Sequence, residues 1–393
     1  MHDLPAKKLF VTQNARDSEP AAARVGSLRN GMGCPPMEML DSERFNEVSC
    51  EWTEEKQKGF DTRTGSCDYE AGWKVILTTY GDDERFLDTW TLRDAKKEAS
   101  QGRVCQTAAE IHCAYGCPHR CAYCHTTPTF HIACDLETLA GELPSLFEKY
   151  PRQKLWKFDN WTDTITLEPE YGASVLFIPL FADTTDQFLM LYTKSDNVEH
   201  LLDLPHGGQT IICWSLSGLS QSREIELGAP DMYERISAME QCQNAGYTVR
   251  ARISPIVPVR NWEQELEELI DSFLPLIRPD VITIDVMGWC QPEAVPEFMD
   301  VELLDPVYRQ ALEEMLESGY VTEGKHLFSH ELRLPLLQHT VDLIRQKDSD
   351  QPVSICNETP QMWGDLSGLC KMQKENYACC CGPDSVPGHP LLT

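Results

Sequence analysis

The stretch Ile111 to Phe130, IHCAYGCPHRCAYCHTTPTF, holds four cysteines and three histidines in twenty residues. Within it Cys117, Cys121 and Cys124 are separated by three and then two residues. Thiolates are the ligands that iron–sulfur clusters use, and a loop this short can wrap three corners of a cube. Three thiolates with the fourth ligand missing fit a 4Fe–4S cluster whose open iron can be chelated by a small molecule. Tyr123 and Pro118, inside the loop, would shield such a cluster, and shielding tunes its potential. Zinc is the competing metal, with one of His112, His119, His125 or His131 completing a tetrahedron. Structural zinc sites usually come as two ligand pairs across a longer loop, which this stretch lacks. Unrelated buried cysteines are the third reading.

The elements that must position this loop begin near Cys105, where short apolar runs alternate with amphipathic helical stretches. KLWKF, FLMLYTKS, TIICWSLSG, TVRARISPIV and DVITIDVMGW read as strands. ASVLFIPLFA reads as a further buried strand, about half the length of a membrane span. Between the strands, Ile236, Met239 and Cys242 share one helical face with Gly246 as C-cap, and Trp262, Leu266, Leu269, Ile270 and Phe273 share another. Strand, helix, strand, helix predicts parallel pairing in a barrel or doubly wound sheet. The strands end on Thr193 and Lys194, Ser215, Ser254 and Asp285, and carboxyl ends of barrel strands carry the site.

Residues 1 to about 104 are rich in Gly, Arg and Asp, with AGWKVILTTYG as their clearest strand. Seventeen cysteines without a charged-then-apolar leader predict a cytoplasmic protein with reduced thiols. No apolar stretch approaches the roughly 20 residues of a membrane span. The formal net charge is -28, from 62 acidic against 34 basic residues. Nucleic-acid binders usually present a basic face, because phosphate neutralisation supplies most of their affinity. The balance here points away from such a partner.

GCPHRCAYC resembles the cluster loop of the radical S-adenosylmethionine enzymes. From Cys105 to Trp289 the chain resembles their spore photoproduct lyase group, through YTKSDNVEHLLDLPHGGQT, WSLS, YERISAMEQCQNAGY and ISPIVPVRNWEQELEELI in the same order. The resemblance implies an α/β fold, a partial TIM-type (β/α)6 barrel over 105–300, with an N-terminal extension over 1–104 and a helical, Cys-rich region over 301–393. It implies an enzyme of lyase or oxidoreductase type, with Cys117, Cys121 and Cys124 on a 4Fe–4S cluster. A low-potential donor such as flavodoxin or ferredoxin would reduce the cluster, which cleaves S-adenosylmethionine to methionine and a hydrogen-abstracting 5'-deoxyadenosyl radical. Lys194 would meet the methionyl carboxylate, Ser215 and Ser254 would hydrogen-bond the cosubstrate, and Tyr123 would lie against it.

The resemblance fails at two positions tied to DNA repair in that group. A tyrosine follows the third cluster cysteine there, where this chain has His125. A hydrogen-donating cysteine lies in the segment here written KFDNWTDTITLEP, and no cysteine occurs between Cys134 and Cys213. The expectation is therefore a small-molecule or peptide substrate at the barrel mouth, faced by Asp159, Asn160, Trp161 and Asp163. Spore photoproduct repair is the alternative. His112, His119 and His131 read as loop histidines. Cys356, Cys370 and the run Cys379 to Cys381 read as buried or capping residues, unless distant segments complete an auxiliary cluster. Cys34, Cys50 and Cys67 have no ligand spacing.

Overall fold

The computed structural model describes residues 4, 6–41, 43–48, 51, 54, 73–82, 88–124, 129–322 and 325–392. His125, Cys50 and Cys67 lie outside the described residues. The strands are β1 (Ala6–Thr12), β2 (Met37–Leu40), β3 (Trp73–Thr78), β4 (Trp90–Arg93), β5 (Ala108–Ile111), β6 (Ala114–Tyr115) and β7 (Thr129–Ala133). They continue with β8 (Leu155–Phe158), β9 (Phe188–Thr193), β10 (Thr210–Leu216), β11 (Thr248–Ile256), β12 (Ile282–Val286) and β13 (Val353–Ile355).

β8, β9 and β12 are buried along their whole length, as expected of parallel strands covered on both faces. They lie in an eight-stranded sheet of order β13-β12-β11-β10-β9-β8-β5-β4. Every pairing in it is parallel except that of β4 with β5. Six of the parallel strands fall between Ala108 and Val286, in agreement with the predicted α/β partial barrel, and β13 adds a seventh. Thr193 is in register with Trp214 and Ser215 with Arg252, so Lys194, Ser215 and Ser254 lie toward one end of the sheet.

The C-terminal segment bridges the two edges of this sheet. Val104 N–H donates to the Glu358 carbonyl (2.8 Å), and the Gln106 amide donates to the Tyr377 carbonyl (2.9 Å). The Lys154 and Leu155 N–H groups both donate to the Pro383 carbonyl. Arg250, fully buried, pairs with Asp280 (2.7 Å) and also donates to the Cys380 and Ser385 carbonyls.

A second, five-stranded sheet runs β2-β1-β3-β7-β6. Strands from the first hundred residues thus continue into β6 and β7, the two strands that flank the cysteine loop. Gly116 opens that loop at φ +103, and a Cβ there would stand 2.6 Å from the Thr129 carbonyl oxygen. Only glycine fits both constraints.

Two expectations are corrected. ASVLFIPLFA is a helix, Ala173–Ala182, not a strand; Ala173, Ser174, Phe177, Ile178 and Phe181 are buried while Val175 is exposed. An all-apolar run has no period of its own, and here the stripe has helical spacing. Of the three expected loop histidines, His112 and His119 do lie in loops and His131 does not; all three are buried. His131 lies within β7 and its Nε2 is 2.6 Å from the Thr78 hydroxyl. The predicted helices do form, at Met232–Asn244 with an Asp231/Glu234 capping box and at Trp262–Phe273. Among the described residues no helix is long and apolar enough to cross a membrane.

Candidate functional site

The loop after β6 brings together Cys117, Cys121 and Cys124, half-buried and outside any disulfide. It is pinned to the segment after β10. Ala122 N–H donates to the Ile225 carbonyl (2.8 Å), Gly228 N–H donates to the His119 carbonyl (2.7 Å), and Cys121 forms an antiparallel bridge with Glu226. Burial pushes the Cys117 thiol well up, and Asp163 and the neighbouring cysteines add to the effect. Burial also drives Cys121 up to about 12, although Lys194 pulls the other way. Thiolates therefore form here when a cation shares the site, which suits metal ligation. Among the described residues no three His, Cys, Asp or Glu donors converge to grip one ion. In a cubane cluster each thiolate takes its own iron, so three cysteines on one short loop suit it. The donor set fits the cluster better than the single metal.

Two buried carboxylates organise the surroundings. Asp163 accepts from the Lys194 N–H (2.8 Å) and the Thr193 hydroxyl (2.9 Å), and lies 2.8 Å from His119 Nε2. Burial raises its pKa, but His119, Lys194 N–H and Thr193 outweigh it and hold the group below the usual carboxylate range. One carboxylate thus fixes both the cluster loop, through His119, and the end of β9, through Lys194. The Lys194 ammonium lies 5.8 Å from the Tyr123 ring centroid.

Glu226 is the second carboxylate. It accepts from the Tyr123 hydroxyl, from Ser217 (3.0 Å) and from Gln221 (3.1 Å), and pairs with buried Arg235. Burial would raise its pKa; Arg235 first, then Lys194 and Tyr123, hold it down to about 2. Sequence reasoning missed Glu226 and Arg235. Their only signal was polarity, a carboxylate in a loop of no visible period and an arginine on the buried face of a helix.

The remaining predicted residues are dispersed. Ser215 is half-buried near the end of β10, its carbonyl accepting from Arg235 (3.1 Å). Ser254 accepts from Arg252 (3.0 Å) and lies 3.3 Å from Asp285 Oδ2. Asp159 is fully buried and holds its own turn: it accepts from the Cys113 and Trp161 N–H groups and lies 3.0 Å from His112 Nδ1. Trp161 stacks on His112 at 4.0 Å and packs beside Tyr115, while Asn160 is exposed. Of the segment expected at the barrel mouth, Asp163 meets the cluster loop through its side chain, at His119, and Trp161 through its carbonyl, which accepts from Gly116 N–H (3.1 Å).

A profile of the spore photoproduct lyase family matches residues 101–286, which span the cysteine loop and the strands through β12. Residues 101–286 are thus similar to the spore photoproduct lyases, a radical S-adenosylmethionine group. The spore photoproduct lyase of Bacillus subtilis (strain 168) is 26% identical over 179 residues, 43% of this chain and 52% of that protein. That of Geobacillus sp. (strain Y412MC61) is 24% identical over 169 residues, 41% of this chain and 50% of that protein. The matched region thus spans about half the length of these curated relatives. The likeness in fold runs further. A solved spore photoproduct lyase with cysteine replaced by serine superposes with a TM-score of 0.61 at 14% identity, covering 90% of this chain and 99% of that one. A variant bound to AdoMet and a dinucleoside spore photoproduct gives 0.60 at 15% identity, covering 90% and 98%.

Proposed function

We propose that the chain is a radical S-adenosylmethionine enzyme acting on a thymine photoproduct of the spore type. Cys117, Cys121 and Cys124 hold a 4Fe–4S cluster, and Lys194, Ser215 and Ser254 receive the cosubstrate. The observation that carries this reading is the joining of the cysteine loop to the end of β9 through His119, Asp163 and the Lys194 backbone. When bound and reduced by a flavodoxin- or ferredoxin-like donor, the cluster supplies the electron that cleaves the sulfonium. The protein's part is to bind and orient. Lys194 offers an ammonium to the methionyl carboxylate, a charge-assisted contact, from a backbone that Asp163 fixes. Tyr123 is held by its bond to Glu226 so that its ring stays beside Lys194.

Lys194→Ala is expected to weaken S-adenosylmethionine binding by roughly tenfold or more, since a charged hydrogen bond contributes about 1.5–3 kcal/mol. Iron content should not change. Equilibrium binding to the reconstituted protein checks this, and unchanged affinity would remove Lys194 from the site.

The family match favours the photoproduct over the small molecule or peptide expected from the sequence. That second reading keeps two observations in its favour: the net charge of -28 and the absence of cysteine from 135–212. The reduced enzyme, given S-adenosylmethionine and a dinucleotide carrying the spore photoproduct, is expected to restore thymines. Cosubstrate cleavage with no thymine restored, on the dinucleotide or on irradiated DNA, would favour the second reading.

A further inference from the structure

Four cysteines outside the site described above meet at the seam where the C-terminal segment closes the sheet. Cys105 precedes β5, Cys356 follows β13, and Cys379 and Cys381 belong to the C-terminal turn. The Cys379 and Cys381 side chains are close neighbours, the Cys379 sulfur lies 3.2 Å from the Gln106 side-chain oxygen, and Cys105 and Cys356 lie within electrostatic reach of Cys381 and of one another. All four are free thiols. The Cys380 sulfur lies 2.9 Å from the Tyr192 hydroxyl and also meets the Cys213 and Cys381 side chains.

Cations surround the four sulfurs. Arg93 Nη2 lies 3.2 Å from the Cys381 sulfur and Arg252 Nη2 3.8 Å from the Cys356 sulfur, while Lys157 faces Cys381. Lys157 and, at 3.8 Å, Arg93 share Glu110, and Asp285 is engaged by Lys325. Among the described residues Arg252 has no carboxylate within ion-pair distance, and the Nε groups of both Arg93 and Arg252 are buried without an acceptor. Buried donors without partners are costly, and apolar packing of cysteines gives no reason to assemble guanidiniums around them. An anionic centre rich in sulfur accounts for both.

We propose that Cys105, Cys356, Cys379 and Cys381 ligate a second iron–sulfur cluster, stapling the two edges of the barrel together. Four cysteine thiolates are the full ligand set of such a cluster. In such a cluster each thiolate takes its own iron, so the four sulfurs need not meet at one point. Arg93 and Arg252 would neutralise the centre and donate to its sulfurs.

The test is metal counting on the full chain after anaerobic reconstitution with iron and sulfide. The unaltered chain should carry about eight irons, and the Cys117→Ala/Cys121→Ala/Cys124→Ala variant should retain about four irons and four sulfides with absorbance that bleaches on reduction. Cys379→Ala/Cys381→Ala should lose about half the iron while keeping the electron-resonance change caused by S-adenosylmethionine. An iron-free triple variant would overturn the proposal and leave the first cluster standing. So would full iron in the Cys379→Ala/Cys381→Ala variant, zinc in place of iron, or a Cys379–Cys381 disulfide in the anaerobically isolated chain. If the double variant fails to fold, the triple variant's iron count still decides.

Discussion

Alanine at Cys117, Cys121 or Cys124 is expected to abolish reductive cleavage of S-adenosylmethionine, while Cys134→Ala leaves it intact. The loop supplies three thiolates and no fourth, so losing one leaves a cubane with two anchored corners and no defined open iron. The buried imidazoles are committed, His119 to Asp163 and the Gly228 carbonyl, and His131 to Thr78. Cys134 lies at the far end of β7, fully buried, its sulfur 3.8 Å from the Ile132 carbonyl, with burial pushing the thiol well up. It is a core residue. The check is 5'-deoxyadenosine formation by each reduced variant. Cleavage at the unaltered rate in Cys121→Ala would remove the loop from the chemistry.

Arg235→Ala is expected to destabilise the fold by about 3–5 kcal/mol, because it leaves the Glu226 carboxylate buried without its principal counter-charge. Arg235→Lys should rescue little, since the guanidinium also donates to the Pro230 carbonyl (2.7 Å) and the Ser215 carbonyl (3.1 Å), a fork an ammonium cannot reproduce. The pH dependence follows from the same pair. Glu226 titrates at about 2 in the folded chain against 4.5 when unperturbed. Its contribution is therefore present above about pH 4.5 and is lost as pH falls toward about 2. Urea denaturation between those limits should show this loss in the unaltered chain and a flatter profile in Arg235→Ala. Equal stability of the two at pH 7 would contradict the assignment. The effect also reaches function, since Glu226 holds Tyr123 and pairs with Cys121.

The strands that build the barrel were legible because they are long and apolar and separated by helices with clear stripes, as in Trp262–Phe273 with Leu266, Leu269, Ile270 and Phe273 buried. The cysteine spacing was legible because all three ligands lie in one loop. ASVLFIPLFA was not, since uniform hydrophobicity carries no period. β1 and β2 were not, because AKKLFVT and MEML are short and partly polar and gain their pairing from partners distant in sequence. The same limit hid Asp163 against His119, Glu226 against Arg235, and Cys105 against Cys381. Each of these pairs is made by topology, so neither member marks the other in the sequence. Asp159 shows the converse. Its position after β8 suggested reactivity, yet its carboxylate is taken up by His112 and the backbone N–H groups around it.

The most direct test of the central claim is product analysis on the anaerobically reconstituted, chemically reduced chain incubated with S-adenosylmethionine. The account predicts 5'-deoxyadenosine and methionine from the unaltered protein and neither from Cys121→Ala. An iron-loaded, reduced protein that binds S-adenosylmethionine and forms no 5'-deoxyadenosine, with the photoproduct dinucleotide present or absent, would contradict it.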